Sequence, residues 1–105
     1  MIEAKFYVHQ GGYAGFSVSG HAGYAEYGHD IVCASVTSAV QLTINGITEI
    51  LKQNADVKVL DNEISIQLSD CEQPGVQAFC KALYLHLELL SQDYTGTLKL
   101  TNLEV

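Results

Sequence analysis

Positive charge is scarce in this sequence: five basic residues, every one a lysine, stand against twelve acidic ones, for a net charge of −7. That balance repels phosphate backbones and anionic lipid, which argues against nucleic acid and membrane surfaces as partners. Basic or neutral polypeptides are electrostatically welcome, unless the charge serves only to keep a small protein in solution. Proline occurs once and no low-complexity tract interrupts the 105 residues. A chain of this length holds material for one hydrophobic core, so residues 1–105 are read as a single domain. No apolar run approaches the roughly 20 residues of a membrane span. The first ten residues alternate apolar and polar side chains and lack the basic region and apolar block of an export signal, so the expected location is the cytoplasm. Cysteine pairs at CxxC spacing are also missing. Cys33, Cys71 and Cys80 are an odd set, read in a reducing compartment as thiols rather than as a disulfide framework. Cys71 and Cys80, in or beside an apolar segment, are expected to be buried and inert.

What is present is a regular alternation of hydrophobic periods. Apolar residues at every second position from Ile2 to Val8 predict a half-buried strand. Gln10-Gly11-Gly12 turns the chain, and Tyr13 to Ser19 returns with Ala14, Phe16 and Val18 on one face. From Val32 the period lengthens: Val32, Val36, Val40, Ile44, Ile47 and Leu51 mark one face of a helix. Asp30 is expected at its N-cap, accepting from the backbone N–H of Cys33 at N3. Gly46 costs this helix about 1 kcal/mol relative to alanine and marks a site of close packing. A second hairpin follows, with Val57 and Val59 alternating with Asp56 and Lys58, a turn at Asp61-Asn62, and Ile64, Ile66 and Leu68 alternating back. Pro74 suits the first turn of a second helix carrying Val76, Phe79, Cys80, Leu83, Leu87 and Leu90. Ala82, Leu85 and Leu89 widen its apolar surface beyond what one sheet face needs, as a homodimer or a deep core would require. Thr95 to Leu103 adds a final strand. The predicted class is two-layer α+β, β-β-α-β-β-α with a C-terminal strand, two helices packed on a mainly antiparallel sheet.

The connection from Gly20 to Asp30 departs from this economy. Most connections run about 4–6 residues, whereas this one is longer and carries Gly20, Gly23, Gly28, His21, His29, Tyr24 and Tyr27. Long loops of such composition are usually functional or disordered. Cys33 follows at once, where the unpaired N–H groups of a helix start stabilise a thiolate and an oxyanion formed by attack on a carbonyl. A thiolate becomes a working nucleophile when an imidazole shuttles its proton, and His21 and His29 are both at hand. Two other readings stand beside this one. Cys33 is a small core residue and His21 a loop residue, or His21, His29 and Cys33 are metal ligands. The second suffers because His29, placed before the helix, breaks strict i, i+4 geometry with Cys33.

Gly20-His21-Ala22-Gly23-Tyr24-Ala25, followed by Gly28-His29-Asp30-Ile31-Val32-Cys33-Ala34, resembles the signature of the bacterial ribosomal-processing cysteine proteases. The resemblance extends over the whole chain in length and element order, with its specificity in this one segment. After the nucleophile the family reads Ala-Ala-Val-Ser where this chain has Ala34-Ser35-Val36-Thr37, small residues for small residues. The resemblance implies a small cytoplasmic protein, typically a homodimer in this family, that removes an N-terminal extension from large-subunit ribosomal protein bL27 in Firmicutes and relatives, cutting after a pair of aromatic residues. The resemblance implies Cys33 as nucleophile, His21 as general base and Asp30 as the family's aspartate, and it implies no cofactor and no metal. His29 receives no role. Tyr24 and Tyr27 are expected to form an apolar cleft for the substrate's aromatic side chains, or else to pack the loop onto the body. Asp30 is expected mainly to cap the helix, with orientation of His21 as the alternative; a carboxylate beside Cys33 disfavours a thiolate, so a catalytic Asp30 acts on the imidazole. The loop is expected to close over bound substrate. The rival to a peptidase is a non-catalytic dimeric module that binds a ribosomal protein.

Overall fold

In a computed structural model the chain is described over residues 1–20, 27–70 and 72–105, with 27–30 described by their backbone alone. Among these residues the order is β1 (Ile2–His9), β2 (Gly12–Ser19), α1 (Tyr27–Asn45), β3 (Ala55–Leu60), β4 (Glu63–Leu68), α2 (Pro74–Asp93) and β5 (Leu98–Glu104). The sheet runs β3-β4-β2-β1-β5. Every neighbouring pair is antiparallel except β1 with β5, where Ile2 stands opposite Leu98 in a parallel register. The α+β class, the two hairpins and the final strand are as the periodicity predicts.

One face of the sheet carries the core. Ile2, Ala4 and Phe6 alternate inward along β1 and are buried, while Lys5 and Tyr7 line a cleft on the opposite face. Phe6 and Phe16 are register partners, with ring centroids 5.6 Å apart. Val32, Val36 and Val40 of α1 and Val76, Cys80, Leu83 and Leu87 of α2 close over them. Burying each such large side chain contributes roughly 1.5–3 kcal/mol. Pro74 opens α2, and the Gln73 side chain caps it by accepting from the Val76 N–H at 2.7 Å. Cys80 is fully buried, as expected, and Cys71 lies outside the described residues.

Four local expectations are corrected. In β2, the register shifts so that Tyr7 pairs with Gly15 and Val8 with Tyr13, leaving Ala14 as an extra residue. An inserted residue reverses the alternation, so Tyr13, rather than Ala14, joins the core against Phe6 at a centroid distance of 5.6 Å. In β3, Val57 and Val59 pair with Ile66 and Ile64 and so share the helix-covered face. They nevertheless remain 36% and 69% exposed, because β3 is the sheet's edge. At its C-terminal end α1 passes into a π-helical turn, Gly46–Ile50, that no periodicity announced. Finally, the stretch Ile31–Ile50 is long and apolar enough, by length and composition, to cross a membrane. Its Val32, Val36, Val40 and Ile47 are spent on the protein core instead.

Candidate active site

The helix that carries Cys33 begins earlier than its cap signal indicates. Counting from Tyr27, Asp30 is the fourth residue of α1 and Cys33 the seventh. Asp30 is therefore not the N-cap. The backbone N–H of Cys33 belongs to the helical ladder rather than to the unpaired first turn, which is formed by residues 27–30. His29 is helical too, so His29 and Cys33 do stand at i and i+4 of one helix, contrary to the geometric objection raised above. The connection from β2 to α1 shrinks to residues 20–26, close to an ordinary length.

Cys33 is half-buried and packs at the margin of the core. It opens onto a cavity of about 220 Å³ between α1 and the β3–β4 hairpin. Val36, Thr37 and Val40 continue the α1 wall, and Val59 and Ile64 form the wall opposite. The charged lining residues among those described are two carboxylates, Asp61 and Glu63, at the hairpin turn. The sequence reading missed this hairpin contribution. Its signal was the pair Val59-Leu60, two adjacent apolar residues before a polar turn in an otherwise alternating strand.

Gly20 lines the same cavity and fixes where the following segment departs. Its N–H donates to the carbonyl of Asn62 at 3.0 Å, tying the end of β2 to the β3–β4 turn. Its φ is +74°, and a Cβ built there would meet the carbonyl oxygen of Met1 at 2.6 Å. Only glycine tolerates both conditions. The residue immediately after it in the chain is His21.

His21 and Tyr24, and with them the expected loop closure, fall outside the described residues; so do the side chains of Tyr27, His29 and Asp30. Among the described residues no group of three His, Cys, Asp or Glu converges on one point. The donors that the metal reading requires, His21 and His29, are outside that set. What the described part brings together is Cys33, an apolar cavity with an acidic end, and the anchor point of the histidine-bearing segment.

Comparison with known proteins completes the assignment. A protein named ribosomal processing cysteine protease Prp in Bacillus subtilis (strain 168) is 29% identical over 99 residues, 89% of this chain and 88% of its own. Its namesake in Staphylococcus aureus (strain Mu50) is 27% identical over 85 residues, 79% of this chain and 80% of its own. The crystal structure of an essential S. aureus ribosomal processing protease Prp with a covalently linked product peptide superposes with a TM-score of 0.88 at 25% identity, covering 97% of this chain and 99% of that one. The family described as cysteine protease Prp matches residues 1–99. With a half-buried cysteine on the wall of an apolar cleft and this family match over nearly its whole length, the chain belongs to the cysteine protease Prp family.

Proposed function

We propose that this cysteine protease removes the N-terminal extension of ribosomal protein bL27, cutting after a pair of aromatic residues, in support of ribosome assembly in the cytoplasm. The observation that carries the reading is the cavity shared by Cys33 and Gly20, since Gly20 is the residue that precedes His21 in the chain. Relatives named for ribosomal processing support the substrate class. The net charge of −7 favours a basic polypeptide such as a ribosomal protein.

In the proposed reaction His21 takes the thiol proton of Cys33, and the thiolate attacks the carbonyl carbon of the scissile bond. The tetrahedral intermediate collapses as the C–N bond breaks, and His21 returns the proton to the leaving amine. Water, deprotonated by His21, then attacks the thioester, releasing the carboxylate product and restoring the thiol. The oxyanion is held by backbone N–H groups of the first turn of α1, residues 27–30, one turn before Cys33. In this reading Asp30, in the first turn of α1, orients the His21 imidazole. Tyr24 and Tyr27 contact the aromatic side chains of the substrate. The active form is a homodimer joined through the outer surface of α2, where Leu85 and Leu89 are 54% and 50% exposed.

The test is incubation with bL27 from the same organism, followed by N-terminal sequencing of the product. Cys33→Ala should abolish cleavage with the fold intact, and His21→Ala should lower it by roughly 10²–10⁴-fold, the range for a general base. His29→Ala, and Cys71→Ala or Cys80→Ala where they fold, should retain it. Undiminished cleavage by Cys33→Ala ends the proposal. Equal losses in the two histidine variants, with bound metal in the purified protein, would favour the metal reading.

A further inference from the structure

We propose that His29 and Cys33 together form a zinc site on helix α1, and that zinc held there reversibly silences the protease by occupying its nucleophile. The inhibitory consequence rests on Cys33 being the nucleophile, whereas the site itself rests only on the placement of the two residues.

His29 has no part in the proposed reaction. Because α1 runs from Tyr27, residues 29 and 33 lie one turn apart on the same helix. Side chains four apart on a helix share a face, with Cβ atoms ~5–6 Å from one another. Zinc bonds to sulfur at about 2.3 Å and to an imidazole nitrogen at about 2.0–2.1 Å, so one ion between two such side chains is within reach of both donors. An imidazole and a thiolate suit zinc, whereas magnesium and calcium demand oxygen ligands.

Cys33 is accessible to an ion, since it is half-buried and opens onto a cavity of about 220 Å³. The charged lining residues among those described, Asp61 and Glu63, are both carboxylates. Among the described residues they do not gather with Cys33 into a three-donor group. Their part is therefore their field, which raises the concentration of a cation beside the thiol. With two protein donors the ion keeps water at its remaining positions, unlike a closed four-ligand structural site. As the sulfur–zinc bond forms, the thiol proton leaves to solvent, and neither metal nor sulfur changes oxidation state. The sulfur electron pair that would attack the scissile carbonyl is then held by the metal.

The test is a titration of the full chain with Zn²⁺ alone during cleavage of bL27. Cleavage should fall as zinc rises and return when EDTA is added. His29→Ala should keep the metal-free rate. It should raise the zinc concentration for half-inhibition by roughly 10–100-fold or more, since losing even a group that only orients a ligand costs that much. His29→Cys, which supplies a zinc donor again, should restore the sensitivity. Half-inhibition at the same zinc concentration in wild type and His29→Ala, or no inhibition at all, overturns the site. Co²⁺ reads the same site without turnover, through the near-ultraviolet charge-transfer band of a cobalt–thiolate bond. The band should appear in the wild type, vanish in Cys33→Ala, need far more cobalt in His29→Ala and persist in His21→Ala. A band lost in His21→Ala but kept in His29→Ala places the metal on another pair of donors and overturns the proposal. The expected band pattern in a protein that cleaves nothing would uphold the site and remove the peptidase reading.

Discussion

Tyr13 stands at a junction of side chains that no short sequence window contains. Its ring meets Phe6 edge-on and stacks with Tyr84 at a centroid distance of 6.4 Å. Its backbone N–H donates to Gln77 Oε1 at 2.7 Å, and Gln77 Nε2 donates to its carbonyl at 2.8 Å, tying β2 to α2. Burial pushes the Tyr13 hydroxyl above its ordinary pKa, and Tyr84, Cys80 and Glu88 add to the rise. The folded state thus holds this proton more tightly than the unfolded chain does. Its contribution to stability is complete below the unfolded value near pH 10 and is lost as pH rises through the folded one. Tyr13→Phe keeps the ring and removes the proton, so its urea midpoint should fall less steeply above about pH 10 than that of the wild type. Identical slopes in urea titrations at several alkaline pH values would contradict this. At the same scale the candidate residues were legible: Cys33 and His21 stood out by residue type and motif. The burial of Cys33 and the packing of Tyr13 were not, because both depend on strands and helices far away in sequence.

Helix α1 illustrates what a periodic pattern fixes and what it leaves open. The recurrence of Val32, Val36, Val40 and Ile47 places one face against the sheet, and all four are buried. The start was misjudged because an acidic residue suits the first turn of a helix as well as its cap, where the dipole favours negative charge throughout. At the other end, Gly46 does mark close packing: a Cβ there would sit 2.4 Å from Cζ of Phe79 on α2. Gly46→Ala gains about 1 kcal/mol of helix propensity and meets an overpacking cost of roughly 1–3 kcal/mol. We expect net destabilisation, by about 1 kcal/mol. A second change, Phe79→Leu, clears the clash, so the double variant should be more stable than the sum of the two single effects. Urea denaturation of the four proteins checks it, and strict additivity would count against the contact.

Across the whole molecule, the helices cover one face of the sheet and keep an apolar surface of their own. Leu42 of α1 is 69% exposed and borders, with Phe79, Ala82 and Leu83 of α2, a groove of about 720 Å³. Beside it Leu85 and Leu89 are half exposed. Exposed apolar side chains of this kind are what the proposed homodimer would cover. For the proposed homodimer, sedimentation should give twice the chain mass of 11.4 kDa. Leu85→Glu with Leu89→Glu should return it to a single chain while leaving the fold intact, since both sites are exposed. A wild-type protein that sediments as one chain at all concentrations would remove the dimer from the proposal.

The sequence alone determined the order and type of the elements, because each is encoded by a local period: two for the hairpins, near 3.6 for the helices. It also pointed to the family, through the segment with His21, Asp30 and Cys33 that resembles the family's signature, and the family's match covers residues 1–99. Tertiary structure decided the rest. It set β5 parallel to β1, left β3 uncovered at the edge, and displaced Ala14 through a register shift. It also brought the β3–β4 turn to within one hydrogen bond of Gly20, building half of the cleft from residues some thirty positions beyond Cys33 in the chain. Those outcomes depend on how elements meet, and an interface between distant segments has no period to read.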